Sequence, residues 1–353
     1  MKKALATFIP LCIIGFVGFW ISTMFLGTVT TTEFGTFSAK DDGENNWSYS
    51  RTVKNETFTA EIAANPNIEL YLSDVNAVVE PYDEVNISVE VKNTSNSALK
   101  VTLDRKGDNT TKINIGNDSI FNFGFGLFRF DIGWIFGGNA SQKEVVIKIP
   151  RCNFESAKIS QGSGKSVISG ITALKNDIDI GSGDFTFNRG GSVVAERFDI
   201  DMGSGNAVFT GMTTNEYDID IGSGTITVSD LTGKGDIDIG SGNAYFNFSR
   251  SPKGRLDMGS GYVNFQLPYS ANTKFDFSIG SGSIVVNEVT SEEKFGHHGE
   301  KSYTFGTGSE EFDINLGSGK IDIGYKGFTP GTVQSSTTIR NVKISYTPNP
   351  PQS

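Results

Sequence analysis

From residue 177 onward the chain alternates apolar and polar positions in short blocks. Ile178 and Ile180, Ile200 and Met202, Ile219 and Ile221, and Ile237 and Ile239 fall on one side. Asp177 and Asp179, Asp199 and Asp201, Asp218 and Asp220, and Asp236 and Asp238 fall on the other. A period of two marks a strand with one buried face. Each block ends in Gly-Ser-Gly. Alternation then resumes, as in Phe185 and Phe187, Ala207 and Phe209, and Val263 and Phe265. The unit reads as strand, tight turn, strand, looser turn. Glycine is expected in these turns for its access to positive φ. The looser turns carry Gly170, Gly190-Gly191, Gly211, Gly233, Pro252 and Pro268, all turn formers.

Gly-Ser-Gly begins at residues 162, 181, 203, 222, 240, 259, 280 and 317, at spacings of 19, 22, 19, 18, 19, 21 and 37. A period near 20 residues marks a stacked array. An antiparallel meander would make each Gly-Ser-Gly a hairpin loop. Its apolar face would then need a cover, and no helical period past residue 30 supplies one. A solenoid removes that difficulty. Each repeat wraps once, both strands turn their apolar side inward, and the next repeat stacks about 4.8 Å away. Asp then lies over Asp, Ile over Ile and Phe over Phe. The expected fold class is all-β, a single-stranded β-helix or solenoid with two main strands per rung of about 20 residues, behind an N-terminal transmembrane helix.

That helix is read from Ala4 to Gly27, 24 residues without a charge, enough to span a bilayer. A cleaved signal peptide is the rival, but Phe25-Leu26-Gly27-Thr28-Val29-Thr30 offers no clean cleavage site. Lys2 and Lys3 place residues 1–3 in the cytoplasm. The expected location is the cell membrane, single-pass, with the bulk of the chain extracytoplasmic. Residues 28–60 read as a stalk and 61–142 as irregular first rungs or a cap. Residues 143–325 read as the regular solenoid and 326–353 as a disordered tail. Within 119–138, Phe121, Phe123, Phe125, Phe128, Phe130, Trp134 and Phe136 stand among glycines. They read as a buried hairpin closing the core, or as a loop that meets the bilayer or a partner. Residues 291–302 break the period and carry His297-His298, so a protruding loop is expected there.

The net charge of −10 argues against nucleic acid or an anionic surface as partner. Cys12 and Cys152 are the two cysteines, and no intramolecular disulfide is expected. Eight Asn-x-Ser/Thr sequons, seven of them before residue 140, fit an exported chain.

Val145-Val146-Ile147-Lys148-Ile149-Pro150, then Ala157 to Gly164, then the Asp-Ile-Gly-Ser-Gly units resemble a β-strand-repeat family of bacterial and archaeal envelope proteins. Its members are described as candidate adhesins and are related to head-domain and toast-rack-like domains. The resemblance covers roughly residues 60 to 325 and implies a β-helix, often held at the envelope. Some relatives accompany envelope-stress systems. It carries over no catalytic motif.

The aspartate columns are the best candidate for chemistry. Like charges about 5 Å apart repel by roughly 1 kcal/mol per pair in water. Calcium bridging is one remedy, through Asp179, Asp201, Asp220, Asp238 and Asp257. The repeat lacks the Gly-Gly-x-Gly-x-Asp signature of calcium-binding solenoids. Hydrogen bonds from turn amides and serines, or hydration, are therefore the preferred remedies. No cofactor and no enzyme are expected, because no P-loop, zinc spacing or nucleophile elbow occurs. The reading is a membrane-anchored extracytoplasmic solenoid serving as a binding or structural module, with a surface glycan or envelope protein as partner. The alternatives are an envelope-stress sensor acting through a membrane partner, and a glycan-active β-helix enzyme.

Overall fold

The computed structural model describes residues 47–117 and 143–326, apart from 56, 64–65, 108, 288–291 and 297–298. The expected anchor 4–27, the aromatic residues of 119–138, His297-His298 and the tail from 327 lie outside the described residues. Among the described residues every regular element is a β-strand, and no helix is long and apolar enough to cross a membrane. The chain divides after Thr172 into two compact units.

The first unit holds β1 (Trp47–Val53), β2 (Thr57–Ala63), β3 (Asn67–Leu72), β4 (Asn76–Tyr82), β5 (Asn86–Asn93), β6 (Leu99–Lys106), β7 (Thr110–Asn117), β8 (Lys143–Pro150), β9 (Asn153–Gln161) and β10 (Lys165–Ser169). The chain thus enters the sheets at Trp47, inside the stretch expected as stalk. One sheet runs β1-β6-β7-β3-β9 and the other β2-β5-β8-β4-β10. β3 and β4 lie parallel to β7 and β8 and also to β9 and β10. β5 and β6 run the other way, antiparallel to their neighbours. Lys143 is fully buried here, its Nζ 2.8 Å from Asp74 Oδ2. Removing one partner of such a pair strands a buried charge.

The second unit begins with five regular rungs. Their first strands are β11 (Thr172–Ile180), β13 (Ala195–Met202), β15 (Thr214–Ile221), β17 (Lys234–Ile239) and β19 (Lys253–Met258). Their second strands are β12 (Asp184–Asn188), β14 (Asn206–Thr210), β16 (Thr225–Leu231), β18 (Asn243–Phe248) and β20 (Tyr262–Leu267). Every pairing among them is parallel, and the first strands are in register, with Ile178 on Ile200 on Ile219 on Ile237 on Leu256; the second strands slip only at the bulge between Ser229 and Leu231. The solenoid expectation holds for this stretch, and the meander does not.

The last rungs leave sequence order. β21 (Thr273–Ile279) and β22 (Ser283–Asn287) stand one place further out than their position in the chain implies. β23 (Glu292–Gly296) and β24 (Gly299–Thr304) follow, then β25 (Glu310–Leu316) and β26 (Lys320–Tyr325). β25 and β26 insert between β19–β20 and β21–β22, parallel to both. β23 and β24 pair antiparallel with β22 and β21. The stretch expected to protrude as a loop is therefore a reversed pair of strands, one at the edge of each sheet. An open strand edge invites pairing with another chain, and β23 and β24 occupy the edges of β22 and β21. The first unit uses the same arrangement with the chain read backward. Stepping back from β9–β10, the chain skips a place to β7–β8, reverses in β5–β6, and returns to fill the gap with β3–β4.

Gly-Ser-Gly proves to be the corner between the two strands of a rung. The hydrogen-bond ladder continues through it: Gly203 N donates to Ile180 O at 2.8 Å, Ser204 N to Gly181 O at 2.9 Å, and Asn206 N to Gly183 O at 3.0 Å. The reason expected for glycine holds in part. Positive φ occurs at the corner residues Gly164 and Gly261 and at the looser-turn Gly170, Gly191, Gly211 and Gly233, but not at the corner glycines from 181 to 242. At those corners the constraint is space. A Cβ on Gly205 would lie 2.2 Å from Gly183 O, because the backbone of each corner rests directly on the one below.

Between the sheets the core is aromatic. Phe246, Phe248, Phe265, Phe312, Phe275 and Phe305 interlock in tilted and edge-to-face pairs with centroids 5.2 to 5.8 Å apart. Such pairs add about 0.5–1.5 kcal/mol each beyond area burial. Tyr217 sits in a column with Phe198, Gly235 and Gly254. Its ring lies where a Gly235 side chain would be. Its hydroxyl is buried and has no hydrogen-bond partner among the described residues.

Two stability outcomes follow from this packing. Gly205→Ala is expected to lower stability by about 1–3 kcal/mol, while Ser204→Ala stays within about 0.5 kcal/mol. Equal effects in chemical denaturation would contradict the close-stacked corner. Tyr217→Phe is expected to raise the melting temperature, since an unpaired buried hydroxyl costs about 1–3 kcal/mol. A lowered melting temperature would show that the hydroxyl is satisfied.

Candidate functional site

The first strands of the five regular rungs share three outward columns, and all fifteen side chains in them are ionisable; Glu196 and Asn215 are exposed beside them. Nearest the strand start stand Lys175, Arg197, Glu216, Lys234 and Lys253. The middle column is Asp177, Asp199, Asp218, Asp236 and Arg255. The third is Asp179, Asp201, Asp220, Asp238 and Asp257, so the predicted calcium candidates do form a single column. The pleat puts alternate residues on the same face, and parallel in-register pairing stacks them.

Among the described residues no group of three or more His, Cys, Asp or Glu is placed to hold a metal ion. The aspartates meet as neighbours in a line rather than converging on a point. Basic side chains answer the repulsion. Arg197 Nε reaches Asp199 Oδ1 at 2.6 Å and its second nitrogen Asp218 Oδ2 at 3.3 Å. Arg255 lies 3.1 Å from Asp257 and Lys274 2.7 Å from Asp276. Asn315 Nδ2 donates to Asp257 at 2.6 Å. These side chains, rather than turn amides and serines, supply those contacts. The sequence carried the signal: a cation stands six residues before the first glycine in most repeats.

The relief is uneven. Burial, followed by the Asp201, Asp218 and Asp238 carboxylates, pushes Asp220 above the ordinary carboxylate range. Asp218 is also pushed up, first by burial, with Arg197 opposing. Asp199 and its neighbours hold the Arg197 charge more firmly than usual.

The opposite sheet presents a different surface. Outward from β12, β14, β16, β18 and β20 stand asparagine, threonine, serine, glutamine, valine and tyrosine. Only Asp184 at one corner and Asp230 at the bulge between Ser229 and Leu231 are charged. Tyr245 and Tyr262 meet edge to face, centroids 5.8 Å apart. Tyr262 Oη donates to Asp322 Oδ2 at 2.8 Å. Burial, then that carboxylate, pushes the phenol up to about 12. This neutral face was not singled out in the sequence. Its residue types vary from rung to rung, and only the absence of charge repeats.

These features define a class: an all-β stack of two-stranded rungs with two chemically distinct repeated faces. The chain belongs to the toastrack family, Toastrack DUF4097, whose profile matches residues 65–324. No curated protein matches the chain. Solved structures align at low similarity. One is a candidate adhesin from Bacteroides fragilis (12% identity, 78% of this chain, 96% of that one, TM-score 0.38). Another is a candidate cell adhesion protein from Clostridium sporogenes (13%, 80%, 100%, 0.24). A third is a candidate adhesin from Parabacteroides distasonis (15%, 77%, 99%, 0.38). At these scores they add nothing to the family assignment.

The charge geometry fixes a pH signature. A carboxyl raised in the folded state costs nothing extra when both states are protonated. Stability is lost as pH rises and the unfolded chain ionises more readily. Asp220→Asn is therefore expected to raise the melting temperature near neutral pH, with the gain disappearing below about pH 4. A loss of stability at neutral pH would contradict the repulsive column and point to a bound cation.

Proposed function

We propose that this chain is an extracytoplasmic binding module, held at the cell surface by its N-terminal segment and engaging surface partners through its repeated faces. One observation carries the reading. Five consecutive rungs stack in parallel, repeating ionisable columns on one face and an uncharged surface on the other. A surface that repeats at strand spacing suits a partner that also repeats, and weak contacts then add through multivalency. The uncharged, apolar span from 4 to 27 supports a membrane anchor. The catalytic alternative has little behind it. An enzyme needs one distinguished cleft, whereas each face here offers near-equivalent rungs.

The test is retention of the purified full chain on envelope isolated from its own cells and on foreign cell surfaces. Saturable retention by a surface polymer or foreign cell is the expected result. Retention only by membrane proteins of its own cell would replace this reading with that of an envelope regulator. Retention by nothing would overturn the binding function.

A further inference from the structure

We propose that the outer face of β12, β14, β16, β18 and β20 is a docking platform for an uncharged polysaccharide, with Tyr245 and Tyr262 as its anchors. This rests on the surface-binding reading above and names the face and the ligand class.

The first argument is charge. The chain carries a net −10, and the three outward columns of the opposite face hold only ionisable groups; on the near side, charge enters beyond β20 as the Lys320–Asp322 pair against Tyr262. Against that background a five-strand surface with two charged side chains at its margins is selectively neutral. An anionic polymer gains nothing from it and is repelled by the rest of the molecule. A cationic partner is drawn to the aspartate columns instead. The partner that fits an uncharged face is itself uncharged.

The second argument is what the face offers in place of charge. Pyranose chains present hydroxyls at their edges and C–H groups on their faces. Amide side chains both donate and accept hydrogen bonds, and hydroxyls do the same. Tyrosine offers a flat apolar ring with a polar tip. Tyr245 is 42% exposed and Val208 43%, in one column with Thr227 between them, on strands that otherwise carry amides and hydroxyls.

The third argument is rigidity. Asp322 holds the Tyr262 hydroxyl at 2.8 Å, and Lys320 holds Asp322 at 2.9 Å. The edge of Tyr262 in turn supports Tyr245. The rings are fixed before a ligand arrives, so less ordering entropy opposes binding. Strands about 4.8 Å apart repeat at close to the length of one sugar residue. A chain running across the strands would meet an uncharged side chain at each step along the column of Thr186, Val208, Thr227 and Tyr245.

The experiment uses the full chain and purified polysaccharides as probes. Neutral probes are a β-1,4-glucan, a β-1,4-mannan and dextran; anionic controls are polygalacturonate and alginate. Retention by at least one neutral probe is expected, insensitive to high salt and to Asp220→Asn. The double change Tyr245→Ala and Tyr262→Ala should weaken it roughly tenfold or more with little change in melting temperature. Thr227→Lys, a charge at the centre of the face, should weaken it without touching either ring. No neutral binding, or binding that follows Asp220 and salt, would overturn the proposal. Envelope retention that survives both the tyrosine and Thr227 variants would keep the surface-binding function and discard this face. Loss of self-association in the tyrosine variant, with no sugar bound, would make a second copy the occupant and also overturn it.

Discussion

Backbone lying on backbone at one strand spacing is the constraint on which the rest of the second unit depends. Each Gly-Ser-Gly corner rests on the corner below, close enough that a Cβ would meet the carbonyl of the preceding rung. The corner can then stay in the ladder instead of looping out of it. With corners in register the strands must be in register, and with strands in register like side chains must stack. The phenylalanine core and the aspartate columns follow from that geometry. The first is favourable. The second is an electrostatic cost the fold carries, eased by Arg197 beside the columns and by Arg255 within one of them.

The repeat was legible because it is imposed by packing at every rung. Ile178 and Ile180 recur as Ile219 and Ile221 because the interior admits little else. The ends were not legible. Residues 292–304 look like an insertion in sequence, charged and outside the period. They pair with the edges of β21 and β22 because open edges need partners, and nothing in a local pattern states which edge each strand will cover. The return of β25 and β26 to a place between earlier rungs is likewise a decision about strand order, which alternation does not encode. The spacing of 37 between Gly280 and Gly317 was its one trace.

The surfaces divide in the same way. The aspartate columns were visible because identity repeats. The basic column beside them was equally regular, yet Lys175, Arg197 and Lys234 drew no attention until register placed them next to Asp177, Asp199 and Asp236. The neutral face was hidden for a different reason. Thr186, Val208, Thr227 and Tyr245 share a column but share no chemistry beyond lacking charge, and an absence of charge is conspicuous only beside the opposite sheet.

Backbone amide exchange tests the stacked corner most directly. The account predicts that the amides of Ser204, Ser223 and Ser241, whose side chains face solvent, exchange as slowly as those of the adjoining strands. Their N–H groups donate to the rung below at 2.8 to 2.9 Å, and opening them requires parting two rungs. Exchange at the rate of an open hairpin loop would contradict it, and would return the repeat to a meander whose turns stand free in water.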